Sequence, residues 1–225
     1  MTNKEIWEKL HKEPRFRPKY PSESVVQYAF RNFKRDGNTK VLDLGCGAGR
    51  HIFFMAKENI IPYGIDISEE GVRYTRELLK RYKFDNFAKN IIVGDFTNLK
   101  FENNYFDGII CYGVLYYSKK EQIEKSVEEI YRVLKEDGKA LIVVRNTKDY
   151  RFGLGKEIEK NTFIIDENDS NKCAYNESAM IMHFFTEEEI RSLFYEFSKV
   201  EIDILSETHE NNSYKDSNYI IRLSK

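Results

Sequence analysis

The chain has 225 residues, of which 41% are hydrophobic and 32% charged, with a formal net charge of −1. That length suits one large domain with a sizeable core, so residues 1–225 are read as a single domain. The near-neutral balance argues against non-specific nucleic-acid binding, which needs a basic surface, and no apolar run is long enough to span a membrane. Cys46, Cys111 and Cys173 form no CxxC pair, so reduced thiols in a cytoplasmic protein are expected. The first ten residues are charged and lack the apolar centre of a signal peptide. The four histidines and three cysteines have no metal-ligand spacing, and no metal is expected.

Residues 4–12 and 22–35 read as helices separated by Pro14, Pro18 and Pro21, and residues 1–37 form an N-terminal helical cap. Strand and helix signals then alternate. Strands are expected at 39–44, 61–66, 90–94, 107–112 and 139–145, all short apolar runs without alternation, as in strands buried on both faces. Helices are expected at 49–58, 69–83, 119–135 and 187–196. The third has Ile123, Val127, Ile130 and Leu134 on one face, a capping box from Ser118 and Glu121, and Gly138 to end it. Thr186 and Glu189 supply a second capping box. Residues 146–185 show no periodicity and read as a long acceptor-side excursion. Val200–Ser206 and Tyr219–Ser224 read as an antiparallel hairpin around a polar loop. The pattern implies an α/β fold: a Rossmann-like, seven-stranded, mostly parallel sheet with helices on both faces.

Asp43-Leu44-Gly45-Cys46-Gly47-Ala48-Gly49-Arg50 is a strand end running into a glycine turn and a helix. Alternate glycines let the backbone turn tightly and approach a ligand closely. Arg50 breaks the dinucleotide pattern, and no G-K-[ST] of a P-loop follows. Asp66, about 20 residues beyond the glycine turn, either accepts the ribose hydroxyls of a nucleoside or, with Ser68, caps the next helix; the spacing favours ribose. Asp95 either accepts the adenine amino group or is a turn residue, and Phe96 can pack against the ring. Cys111 and Tyr112 end a fourth strand beside the same crevice.

In order along the chain come Asp43 with Gly45, Gly47 and Gly49, then Asp66, then Asp95-Phe96, then Phe106-Asp107, then Glu129 to Lys139. This set resembles motifs I to V of the class I S-adenosylmethionine (SAM)-dependent methyltransferases over roughly residues 40–145, and the terminal hairpin resembles that family's last two strands. Gly49-Arg50-His51 and Phe184 to Glu189 are similar to the "type 11" and tellurite-resistance-like groups of small-molecule methyltransferases. Where many relatives carry L-x-H after strand four, this chain has Leu115-Tyr116-Tyr117, so no histidine role transfers. The resemblance implies SAM as methyl donor and S-adenosylhomocysteine (SAH) as product. Asp43, Gly45, Cys46, Gly47 and Gly49 would face the methionine portion, Asp66 and Ile67 the ribose, Asp95 and Phe96 the adenine, and the backbone near Cys111 and Tyr112 the ammonium group.

On the acceptor side, Arg15 to Tyr20 is either a lid over the SAM carboxylate, with Tyr20 among the cofactor contacts, or a surface arm. Together with Asn146–His183 it is expected to close over the crevice. Tyr112, Tyr116 and His183 are the catalytic candidates, each with a purely structural reading beside it. The expected function is methyl transfer to a small-molecule acceptor by a monomer or homodimer, with no nucleic-acid or membrane partner. A protein methyltransferase and a non-catalytic SAM-binding module are the alternatives.

Overall fold

The computed structural model describes residues 2–225. The chain opens with α1 (Asn3–Leu10), started by a capping box in which Thr2 Oγ1 accepts from Glu5 N–H and Glu5 accepts from Thr2 N–H. A 3-10 turn at Pro14–Phe16 and α2 (Glu23–Asn32) follow. Then come β1 (Lys40–Leu44), α3 (Arg50–Lys57), β2 (Ile61–Asp66), α4 (Glu69–Arg81), β3 (Ile91–Val93), β4 (Phe106–Tyr112), α5 (Lys120–Val133) and β5 (Leu134–Arg145). The excursion contains β6 (Lys156–Glu159), β7 (Thr162–Ile164) and β8 (Ile181–His183), and the chain ends with α6 (Glu187–Leu193), β9 (Lys199–His209) and β10 (Tyr214–Ser224).

Seven strands form one sheet in the order β3-β2-β1-β4-β5-β10-β9, parallel from β3 to β5 and antiparallel at β10 and β9. Neighbouring residues of one strand serve opposite cores. Ile109 and Cys111 pack with α5 and α6 residues such as Ile130 and Ile190, while Ile110 packs with Val25, Ile52 and Val72 from α2, α3 and α4. Burial on both faces is why the strands read as unbroken apolar runs. The order reverses between β1 and β4, which opens a crevice at their carboxyl ends.

Four expectations are corrected. The excursion is ordered as a second, antiparallel sheet of order β6-β7-β8, which is too short in each strand to give a period in the sequence. The terminal hairpin continues through its polar residues to a turn at Glu210–Asn212, where all three take left-handed φ angles; backbone pairing, rather than hydrophobic pattern, carries it. Ser118 does not cap α5. Lys119 stands at that position, and its N–H donates to the Gln122 side chain. Finally, α5 ends at Val133, and Gly138 lies past it in the irregular part of β5, between the pairings of Leu134 and Lys139.

Candidate functional site

The turn after β1 is built from bare backbone. Gly45, Gly47 and Gly49 have φ of 76°, 48° and 81°, the left-handed region open to glycine. A Cβ on Gly45 would lie 2.4 Å from Val114 Cγ2, and one on Gly49 would lie 2.6 Å from Thr75. Gly45 and Cys46 N–H both donate to Ile65 O, at 2.8 and 3.0 Å, so the turn is fastened to β2. Gly47 N–H donates to Asp66 Oδ2 at 2.8 Å, and Thr75 Oγ1 donates to Gly47 O at 2.7 Å.

Asp66 stands at the end of β2 with its other oxygen accepting from Ser68 N–H at 2.8 Å. Each oxygen thus holds one backbone donor and retains a lone pair for a hydroxyl. Burial pushes the Asp66 carboxyl up from its ordinary value, opposed by His11 and by the two backbone donors. Ser68 caps α4 by accepting from Gly71 N–H at 3.1 Å. The capping role therefore falls to Ser68, while Asp66 braces the glycine turn.

A cavity of about 790 Å³ lies over these groups. Its wall includes Gly45 to His51, Asp66, Ile67, Asp95, Phe96, Tyr112 and Tyr116. Asp95 is exposed and accepts from Thr97 N–H at 2.8 Å, so it is at once a turn residue and part of the wall. The Arg50 guanidinium lies 5.3 Å from the Tyr112 ring centroid.

Four candidates are absent from the wall. Asp43 is buried beneath the turn, with Oδ1 3.6 Å from His51 Nδ1 and Oδ2 without a hydrogen-bond donor. The Cys111 side chain is wholly buried in the core, which pushes its thiol far above the ordinary 9.0. Tyr20 is 82% exposed and outside the cavity. His183 is fully buried, with Nδ1 2.8 Å from Thr162 Oγ1 and Nε2 3.1 Å from Glu189 Oε2. A histidine with both ring nitrogens engaged inside the protein is a structural link between β7 and α6, and the catalytic reading of His183 is corrected on that ground.

The roof comes from a part of the sequence that motif reasoning passed over. Glu8 of α1 accepts from Ser68 Oγ at 2.7 Å and from Glu70 N–H at 3.2 Å, which seats α1 on the amino end of α4. At the other end, Asn3 donates to Tyr117 O and Ile181 O and accepts from Ile181 N–H, all within 2.7–3.1 Å. Trp7, His11, Arg15, Phe16 and Pro18 then line the cavity, opposite Ile164, Ala179 and Ile181 of the excursion. The expected Arg15–Tyr20 segment thus contributes three residues, and α1 supplies Trp7 and, just past its last turn, His11. Thr2-x-x-Glu5, a capping-box spacing, is the local signal in the sequence for the start of α1.

Behind Tyr117 lies a buried ionic cluster. The Tyr117 hydroxyl donates to Glu177 Oε1 at 2.6 Å. Arg151, 2% exposed, binds Glu177 at 2.5 Å, Asp216 at 2.5 Å and Asp149 at 3.2 Å. Arg145 binds Asp149 at 3.0 Å and Glu177 at 3.3 Å. Burial raises the Glu177 carboxyl, but Arg145, Arg151 and the Tyr117 hydroxyl outweigh it and hold the group below its ordinary 4.5. Among the described residues no group of three or more His, Cys, Asp or Glu could hold a metal ion, and no helix is long and apolar enough to cross a membrane.

Comparison with known proteins agrees with this geometry. A methyltransferase-domain family matches residues 35–198. The solved SAM-dependent methyltransferase of Methanosarcina mazei superposes with a TM-score of 0.69 at 21% identity, covering 92% of this chain and 98% of that one. TehB of Haemophilus influenzae superposes with a TM-score of 0.64 at 17% identity, covering 98% and 67%. In sequence, a putative methyltransferase of Geobacillus sp. (strain WCH70) is 28% identical over 128 residues, 56% of this chain, and the match spans half of that protein's length. The chain belongs to the class I SAM-dependent methyltransferases. Its methyl donor is SAM.

Proposed function

We propose that this enzyme methylates a small molecule with an apolar, flat body, enclosed between α1 and the β6-β7-β8 sheet. The observation that carries the reading is the far wall of the cavity. Trp7, Phe16, Tyr117, Ile164 and Ile181 line it, and α1 is bonded down at both ends, so apolar side chains held in place bound the cavity on this side. Trp7 and Tyr117 meet edge to face at 5.1 Å, which fixes the two rings against each other in that wall. The charged residues of that wall, Lys4 and Arg15, each stand beside a carboxylate, Glu69 at 3.9 Å and Glu13 at 2.9 Å, so the wall carries little net charge.

SAM supplies an electrophilic methyl group on its sulfonium, and the protein's task is alignment and exclusion of water, worth roughly 7–11 kcal/mol in favourable cases. The residues present fit it. The glycine turn presents bare backbone to the methionine portion, and the spare lone pairs of Asp66 suit ribose hydroxyls. Asp95, Phe96 and Ile67 line the same cavity, which supports the adenine and ribose contacts that the sequence resemblance implies for them. At the end of β4, Tyr112 and Gly113 line the cavity together with Arg50, and this backbone and guanidinium suit an amino acid's ammonium and carboxylate.

The lining residues from Tyr116–Ser118 and the small sheet include no carboxylate or imidazole, whereas His11, His51, Asp66 and Asp95 line the same cavity elsewhere. Burial pushes the Tyr116 and Tyr117 phenols above their ordinary 10.0, so neither is a good base near neutral pH. An acceptor atom held beside these tyrosines would arrive with its lone pair free, as a thiolate, a neutral amine or a ring nitrogen does. Incubation with methyl-labelled SAM and separate pools of small molecules, proteins and RNA tests this. Label is expected in small molecules bearing such an atom. Label confined to protein or RNA would overturn the acceptor class.

A further inference from the structure

We propose that His11 is a cofactor-contacting residue, donating a hydrogen bond to the ribose whose hydroxyls Asp66 accepts. The ring is wedged between two glycines. A Cβ on Gly47 would stand 3.2 Å from His11 Nε2, and one on Gly71 would stand 2.8 Å from Nδ1. The same Gly47 position lies 4.0 Å from Asp66 Oδ2, so ring and carboxylate share one side of the glycine turn. The residue is 6% exposed, and it lines the cavity.

The orphaned atom fixes the tautomer. Nδ1 is buried against Gly71 with no hydrogen-bond partner. A buried N–H without an acceptor is costlier than a bare ring lone pair beside a methylene, so the proton belongs on Nε2, on the Gly47 side. Burial also drives the imidazole below its ordinary 6.5, against the pull of Asp66, Glu8 and Glu70 and with the push of Arg17, which favours the neutral ring. A neutral Nε2–H beside a carboxylate makes a donor–acceptor pair. A ribose hydroxyl can satisfy both members at once by giving its proton to Asp66 and accepting from His11.

His11 lies outside the residues 35–198 that the family match covers, so this contact is a feature of the N-terminal cap rather than of the shared sheet. The wedge also explains why Gly71, inside a helix, has no side chain: any Cβ would strike the imidazole. No side-chain hydrogen bond in the fold uses the ring, and Trp7 packs on it, tilted at 5.5 Å between centroids.

The inference rests on the ribose lying at Asp66, and the test separates the two ideas. Binding of SAH and of its 2′-deoxy and 3′-deoxy counterparts is measured by calorimetry for the unaltered protein, His11→Phe, His11→Gln and Asp66→Asn, with melting temperatures to show that each is folded. His11→Phe is expected to weaken SAH about 3–10-fold, the range of one neutral hydrogen bond, and to lose part of its penalty against one deoxy analogue. His11→Gln, which keeps an N–H donor, is expected to recover part of the loss. Equal weakening against all three ligands, or no weakening by a folded His11→Phe, would overturn the His11 contact. If a folded Asp66→Asn binds all three as tightly as the unaltered protein, the ribose placement itself falls.

Discussion

At the glycine turn the cavity wall is backbone: three left-handed glycines and two strand ends fastened by main-chain bonds. Across the cavity the wall is side chains, carried by α1, Tyr117 and the small sheet, and held by Asn3, Glu8 and the Arg145–Arg151 cluster. A backbone wall suits a ligand that every member of a family shares, because few residue types can build it. A side-chain wall can change its residues while the fold stays, and it suits a ligand that differs between members. The two ends should therefore respond differently to substitution. Changes at the turn should alter cofactor affinity, and changes opposite it should alter stability or acceptor use while SAH still binds.

The largest effect is expected from Arg151→Met. Removing one partner from a buried ionic cluster leaves Glu177, Asp149 and Asp216 short of countercharge and costs about 3–5 kcal/mol. Denaturant unfolding should show that loss, while the folded fraction still binds SAH. Strongly weakened SAH binding by folded protein would mean that the two ends are not separable. Gly45→Ala comes next. Its Cβ would meet Val114 at 2.4 Å in a left-handed conformation, and overpacking costs about 1–3 kcal/mol. Calorimetry should find SAH affinity lower by about tenfold or more.

Asp66→Ala should weaken SAH by roughly 1.5–3 kcal/mol, the range of a charged hydrogen bond, and it leaves Gly47 N–H without its acceptor. Unchanged affinity would leave Asp66 as a brace only. The smallest effect concerns pH. Glu177 is held below its ordinary 4.5 in the folded chain, so the unfolded chain binds the proton first. The stability this group contributes is present above 4.5 and is lost as pH falls through its lower folded value. Unfolding free energies measured on both sides of that window should fall with acid in the unaltered protein, and fall less in Glu177→Gln. Equal slopes would show that Glu177 is not the group responsible.

The same contrast explains what could be read from the sequence. Val41 to Arg50 and Tyr63 to Ser68 announce themselves because glycines and strand-end carboxylates are local requirements of the turn. Five parallel strands, the three helices between them and α6 beyond the excursion follow from short apolar runs and capping residues, with ends off by a few positions. Trp7, His11 and Ile181 could not be placed this way. They reach the cavity through tertiary contacts such as Asn3 with Ile181, 178 positions apart in the chain. His183 misled for a related reason: Thr162, which holds its Nδ1, is 21 residues away on another strand, so its satisfied state left no local mark. The hairpin from Lys199 to Ser224 was under-read because its outer half is polar on an exposed strand.

The most direct test of the account is a crystal structure of the SAH complex. The account predicts adenosine across the carboxyl ends of β1 and β2, ribose hydroxyls within hydrogen-bond distance of Asp66 and His11, and α1 still bonded to Ser68 and Ile181 above them. Ribose lying away from Asp66, or α1 displaced so that Trp7 and His11 no longer face the ligand, would contradict it.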